Sequence, residues 1–182
     1  MILSRREFFA TTASVAAGSG ALTLLAGHAT GGEIVKDDDA QPFFKVYPVG
    51  TVEKTKGSTS IRILDKYVPA LKGLDGWSHV NVLYWFDRSD TPAKRSILQV
   101  HPRGNKRNPL TGVFACRSPM RPNLIALTVC KILSVEGNGV KVDKIDAFDK
   151  TPVLDLKPVI TSDAPRDAKG PSWLGRGKKE KP

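Results

Sequence analysis

Residues Ile125-Ala-Leu-Thr-Val-Cys-Lys-Ile-Leu-Ser-Val-Glu136-Gly-Asn-Gly-Val140-Lys-Val-Asp-Lys-Ile145 set the fold class. Ile125, Leu127 and Val129 alternate with smaller or polar residues, and the run continues to Glu136. Successive side chains of a strand point to opposite faces, so a period of two reads as β rather than helix. Gly137-Asn138-Gly139 makes a tight turn, and Val140, Val142 and Ile145 lead back. Asn-Gly between two such runs is a hairpin signal, because both residues tolerate positive φ.

Working outward, His79–Phe86 (HVNVLYWF) is the strongest single strand. Phe43–Val52 opens with aromatic and β-branched residues but carries Pro48, so an edge or bent strand is expected. Ser60–Leu64, Ile97–Val100, Gly112–Cys116 and Pro152–Leu156 are further strand candidates. Tyr67–Leu74 reads as a short helical turn broken by Pro69 and Gly73. Short strands at this spacing, with little helix, favour an all-β barrel or sandwich over a parallel α/β sheet.

The two ends read differently. Ser4-Arg5-Arg6-Glu7-Phe8-Phe9 matches the twin-arginine signal pattern, and a mildly apolar run from Ala10 to Ala26 follows. That run is too short and too weakly apolar for a spanning helix. Gly27 and Ala29 supply small residues for a cleavage site after Ala29. The expected organisation is therefore a signal peptide over 1–29, a polar linker over 30–42, one domain over 43–160 and a disordered basic tail over 161–182. The implied location is periplasmic or otherwise extracytoplasmic, with no stable membrane span after cleavage. The 182-residue chain carries a net charge of +10, and losing Arg5, Arg6 and Glu7 would leave 10 − 1 = +9. Such an excess suits anionic partners, although a merely solubilising surface has the same composition.

Several chemistries are missing from the sequence. There is no GxGxxG after a strand and no GxxxxGK[ST], so the usual dinucleotide and triphosphate cradles are absent. His28, His79 and His101 are the only histidines and make no metal-spaced cluster with cysteine. Cys116 and Cys130 allow either one disulfide or two buried thiols. What remains is a set of polar loops. His101-Pro-Arg-Gly-Asn-Lys-Arg-Asn-Pro109 is a basic connection that reads most simply as a solvated turn. Arg117-Ser-Pro-Met-Arg-Pro-Asn123 places two guanidiniums and an amide on a proline-stiffened loop, which suits carboxylate or phosphate recognition. Asp146-Ala-Phe-Asp149 sets two carboxylates before Thr151-Pro152, either as turn formers or as acceptors for ribose hydroxyls or an ammonium group.

Taken together, these segments are recognisable. Gly112-Val-Phe-Ala-Cys-Arg-Ser-Pro-Met-Arg-Pro-Asn123 resembles the GVFATRSPxRPNP motif of the TsaA-like (TrmO-type) S-adenosylmethionine-dependent methyltransferases. Asp146-Ala-Phe-Asp-Lys-Thr-Pro-Val-Leu-Asp-Leu-Lys-Pro158 is similar to that family's LDALDGTPVLDIKPY. Gly73-Leu-Asp-Gly-Trp-Ser-His79 and Tyr47-Pro-Val-Gly-Thr51 resemble its GLexFSH and PIGV segments. The likeness runs from Phe44 to Ile160. Lys150 and Leu124 stand where the family has glycine and proline, and Val52-Glu-Lys-Thr-Lys-Gly-Ser58 replaces a loop containing Pro-Arg-Gln.

The resemblance implies a small single-domain β-barrel, usually dimeric, that binds S-adenosylmethionine. It also implies N6-methylation of a threonylcarbamoyl-modified adenosine in tRNA. His79, Val80, Arg117, Leu127 and Asp146, Ala147, Phe148 and Asp149 would line the cofactor pocket, with Arg121 and Asn123 supporting it. If the chain is exported, the acceptor would be another small or nucleotide-like molecule. The alternative is an exported binding module on the same barrel, without enzymatic activity.

Overall fold

The computed structural model describes residues 35–36, 42–160, 162, 167 and 169–175. The signal peptide expected over 1–29 lies outside the described residues, as does most of the expected linker. The chain divides into two compact units, Met1–Lys45 and Val46–Pro182. In the first, β1 (Val35–Lys36) pairs antiparallel with β2 (Pro42–Phe43).

The second unit carries the barrel. Its strands are β3 (Gly50–Thr55), β4 (Ser58–Ile63), β5 (His79–Trp85), β8 (Ile125–Glu136), β9 (Gly139–Val142) and β10 (Pro152–Pro158). They close in the order β10-β3-β4-β9-β8-β5, each pair antiparallel. Closure pairs both edges of the sheet, so no strand edge is left to recruit another chain. β6 (Gln99–Val100) and β7 (Thr111–Gly112) form a separate ribbon. The small all-β barrel expected from the sequence is the fold observed.

Alternation builds the core. In β5, Val80, Val82 and Tyr84 point inward, between half-buried outward residues. They meet Val52 of β3, Ile61 of β4, Ala126 and Cys130 of β8, Val140 and Val142 of β9 and Val153 of β10. Full burial of each Val or Ile side chain stabilises the fold by roughly 1.5–3 kcal/mol.

Three local expectations shift. The first barrel strand starts at Gly50, not Phe43, and Phe44 to Pro48 form no strand. Beyond Gly112, the chain turns into a 3-10 segment at Val113–Ala115 instead of continuing as a strand. The β8–β9 hairpin turns on Gly137-Asn138, flanked by the Glu136–Gly139 pair, and only Gly137 has positive φ (56°). That backbone is the type II′ pattern, which needs glycine at its first central position alone. Asn138 is then free to accept from Arg62 Nη1 at 2.6 Å and to donate to Asp65.

The β3–β4 hairpin is equally tight. Thr55 pairs with Ser58 across Lys56-Gly57, so no loop intervenes where the sequence lacks the Pro-Arg-Gln insertion. Residues 172–175 fall within the segment expected to be a disordered tail. They instead form a 3-10 turn in which Trp173 is buried, and Arg103 Nη2 donates to the Leu174 carbonyl at 3.2 Å.

Candidate functional site

Two loops meet beside β5. The first, between β7 and β8, carries Arg117, Arg121 and Asn123. Arg121 lies at its centre: Nη2 donates to the carbonyls of Val113 (2.8 Å) and Cys116 (2.9 Å), and Nε donates to Ser118 (3.0 Å). A longer contact, 3.5 Å, runs from Nη1 to the Ile125 carbonyl. Arg95 clamps the same loop from outside through the Pro122 carbonyl at 2.9 Å. Its guanidinium also pairs with Asp90 at 2.8 Å and lies over the Trp85 ring.

Arg121 is thus committed to main-chain carbonyls, whereas the sequence offered both guanidiniums to an anion. Arg117 is the exposed one, with a single long contact of 3.5 Å to the Leu127 carbonyl. Asn123 is exposed at the end of the loop.

The second loop, Asp146 to Asp149, leaves β9 and enters β10. It is pinned to β3 by two hydrogen bonds: the Lys54 backbone N–H donates to Asp149 Oδ1 at 2.8 Å, and the Lys150 N–H to the Val52 carbonyl at 2.8 Å. Lys54 Nζ reaches the Ile145 carbonyl at 3.0 Å. From the other side, the Tyr84 hydroxyl donates to the Asp146 carbonyl and lies 3.2 Å from Thr128 Oγ1.

Tyr84 joins the loops electrostatically. Burial pushes its phenol above the ordinary value; the Asp146 carboxylate adds to the rise, while the Thr128 hydrogen bond and the Arg117 charge oppose it. Both Arg117 and Asp146 therefore act on one buried hydroxyl while their own side chains remain exposed. The phenol stays protonated and donating through neutral pH.

The remaining expected residues divide. Ala147 packs against the core and Phe148 is exposed, with the Arg88 guanidinium 3.7 Å over its ring. Leu127 faces outward from β8, opposite Leu83 of β5. His79 and Val80 stand at the other end of β5, five residues from Tyr84 or about 16 Å along the strand. His79 Nδ1 lies 2.9 Å from Ser78 Oγ, and the Val80 side chain is wholly inside the barrel, so only its backbone can face a ligand. Within one chain, the structure gathers Arg117, Leu127 and Asp146 with its neighbours, and leaves His79 apart. Tyr84, Thr128 and Arg88 were missed by the sequence reading, which offered Arg95 only as part of a basic loop at 94–95. A tyrosine at an inward strand position was the one available signal, because a buried phenol needs a partner.

Two outcomes follow locally. Lys150 takes φ 66°, the left-handed region, where the resembling motif has glycine. A side chain there costs on the order of 1 kcal/mol, while its ion pair with Glu53 is long (3.9 Å) and exposed. Lys150→Gly is expected to stabilise by about 0.5 kcal/mol once the greater freedom of the unfolded glycine chain is subtracted, measured by urea denaturation. Cys116 and Cys130 are both free thiols. Cys130 is buried, which pushes its thiol up to about 11, whereas Cys116 is partly exposed. Ellman's reagent at pH 8 is expected to titrate one thiol quickly in native protein and the second only after denaturation.

The chain is similar to known proteins. Residues 45–164 match the family described as the tRNA-methyltransferase O N-terminal domain. A probable S-adenosyl-L-methionine-binding protein of Methanocaldococcus jannaschii is 46% identical over 110 residues, covering 60% of this chain and 87% of the relative. A human tRNA (adenine(37)-N6)-methyltransferase is 40% identical over 111 residues, covering 60% of this chain but 24% of that protein. The solved structure of TrmO from Pseudomonas aeruginosa superimposes with a TM-score of 0.55 at 27% identity, over 70% of this chain and 62% of that one. This chain thus spans less than two thirds of the solved protein.

Proposed function

The chain belongs to the family of the tRNA-methyltransferase O N-terminal domain, and we propose from that membership that it binds S-adenosylmethionine and transfers the methyl group to an amine acceptor. The observation that carries this reading is the anchoring of two loops on either side of Tyr84: its hydroxyl donates to the Asp146 carbonyl, and Arg117 reaches the carbonyl of Leu127, the β8 partner of Leu83 next to Tyr84. The residues fit the cofactor. Arg117 is an exposed guanidinium for the methionine carboxylate, and Asp146 is an exposed carboxylate for the ribose hydroxyls. Leu127, Ala147 and Phe148 supply apolar contact, Asp149 fixes the loop to β3, and Arg121 and Asn123 shape the facing loop. When bound, the cofactor brings an electrophilic methyl group on a sulfonium. The chain's task is then to hold donor and acceptor in line, which supplies much of the rate.

The outer face of β8 favours a homodimer. Ile125, Leu127, Val129 and Leu133 are 40–52% exposed on one face of the strand. A twofold axis through the β5–β8 face would bring the His79 end of one copy toward the Arg117 end of the other. That pairing would add His79 and the Val80 backbone to the cofactor site.

Export is the second part of the proposal. The twin-arginine pattern at Arg5 and Arg6, the apolar run and the small residues Gly27 and Ala29 support cleavage after residue 29, a linker to 42, a domain over 43–160 and a basic segment beyond. The human relative is named for an adenine in tRNA; of the basic segments at 94–95, 103–107 and 117–121, Arg95 and Arg121 are tied to carbonyls, while the exposed Lys106, Arg107 and Arg117 suit phosphates. Both tRNA and S-adenosylmethionine are cytoplasmic. On this reading the cofactor is therefore loaded before export and the acceptor is a small or nucleotide-like amine, and export also favours binding without transfer. Binding without transfer is the competing reading, favoured by the two-residue β3–β4 turn where the family's loop is missing.

Calorimetric titration of the purified chain with S-adenosylmethionine tests the proposal. Micromolar affinity, about −8 kcal/mol, is expected, and is expected to be lost in Arg117→Ala and Asp146→Ala. Folded protein with no detectable binding overturns it. Binding without methylation of any amine, nucleoside or tRNA leaves the module. For export, an Arg5→Lys/Arg6→Lys chain that distributes between compartments like the unaltered one overturns the signal.

A further inference from the structure

At the end of the barrel away from Asp146, the segment between β4 and β5 folds over the sheet. Its 3-10 turns at Asp65–Leu71 and Leu74–Gly76 border a half-open cavity of about 290 Å3 against β10. Val49, Ile63, Leu71, Leu74 and Leu156 form its apolar walls, with the rings of Tyr67 and Trp77 and the small side chain of Ala70 also on the lining. None of the ten residues offered to the cofactor lines this space. The volume stands at the lower edge of the range usual for small-molecule pockets.

The charges at the cavity choose the ligand. Asp155 contributes to the lining; its carboxylate is offset by an exposed ion pair with Lys157 Nζ at 2.8 Å and accepts the Leu156 N–H at 2.9 Å. Lys72 also lines the cavity, is exposed, and has no ion pair or side-chain hydrogen bond among the described residues. A lysine can lay its methylene stem along an apolar wall while its ammonium stays at the water boundary. Walls of this kind reward an apolar body, and Lys72, with the Lys66 ammonium 4.7 Å over the Tyr67 ring as a second cation beside the cavity, rewards an anion.

We infer that this cavity is a second binding site, separate from the cofactor residues, for a small aromatic or aliphatic carboxylate whose body fills the space beneath Tyr67 and Trp77 and whose carboxylate pairs with Lys72. The inference does not depend on the methyltransferase reading.

The test uses the full chain with 4-phenylbutyrate as the probe and 4-phenylbutylamine, of the same body and opposite charge, as the counter-probe. Binding is followed by calorimetry; in the unaltered chain a change in total tryptophan fluorescence, to which Trp77 at the cavity contributes with Trp85 and Trp173, accompanies it. The carboxylate is expected to bind at least about tenfold more tightly than the amine, and Lys72→Glu to reverse that order. Ala70 is exposed, so Ala70→Trp is expected to fill the space without unfolding the barrel and to weaken the carboxylate at least about tenfold. S-adenosylmethionine titrations of the two variants should match those of the unaltered chain, which separates failure here from failure of the cofactor site. Equal affinity for the two probes, no binding of the carboxylate, or binding untouched by both variants overturns the inference.

Discussion

Arg121→Ala is expected to abolish S-adenosylmethionine binding and to destabilise the domain by about 2–3 kcal/mol, although Arg121 need not touch the cofactor. Its guanidinium accounts for the conformation of the loop before β8, donating to carbonyls at 113, 116 and 118 within 3.0 Å. Removing one ionised donor that serves several carbonyls leaves them to water or to nothing, so the loss exceeds that of a single neutral hydrogen bond. Arg117 rides on this loop and would lose its place beside Tyr84. Arg121→Lys is expected to recover less than half of the stability, because an ammonium is a point charge and cannot span the same carbonyls. Urea denaturation paired with cofactor titration checks both parts. A variant that melts earlier yet binds normally would show that the loop is not part of the site.

Gly50→Ala is expected to be the most damaging single-methyl addition in the barrel, costing about 3 kcal/mol or more and lowering Tm on the order of 10 °C. Gly50 starts β3 and pairs with Ile63 of β4 on one side and Val153 of β10 on the other. A Cβ there would lie 2.3 Å from the Arg62 carbonyl oxygen and 3.1 Å from the Ile63 Cα. Both are backbone atoms in a closed sheet, so relief requires β3 and β4 to separate. Gly112→Ala is the control: its added Cβ meets nothing within 4 Å and its φ of −58° suits any residue. A change within about 0.5 kcal/mol is expected there. Thermal melts of the two variants side by side decide the point, and equal melting temperatures would refute the steric account.

The segments that make up the candidate site were legible. The stiffened arginine loop, the paired aspartates and the strand between them are each contiguous in sequence, and each appears intact in the structure. What the residues do within those segments was less legible. Arg117 and Arg121 are four positions apart on one loop with identical chemistry. One is exposed and the other is enclosed by main-chain oxygens, a distinction made by the path of the loop and not by residue type. Tyr84 was hidden for a related reason: it reads as one more apolar residue in HVNVLYWF, and its partners Thr128 and the Asp146 carbonyl are 44 and 62 residues away.

The amino-acid order by itself determined that the domain is built of short strands and placed β5, β8 and β9, because a period of two and the turn residues between runs are local properties; it misplaced the start of β3 and the end of β7. It also determined the chemistry available: two carboxylates, two guanidiniums, no metal-spaced cluster and no phosphate cradle. The tertiary structure decided which face of each strand is the inside. In β8 the larger Ile125, Leu127 and Val129 face outward, while Ala126 and Cys130 fill the core. Alternation defines two faces without ranking them. The ranking comes from closure of six strands around a narrow interior already occupied by Val80, Val82, Tyr84, Ile61 and Val140, where Ala126 and Cys130 fit in the first half of β8, while Ile132 and Val135 near its end reach the core only in part.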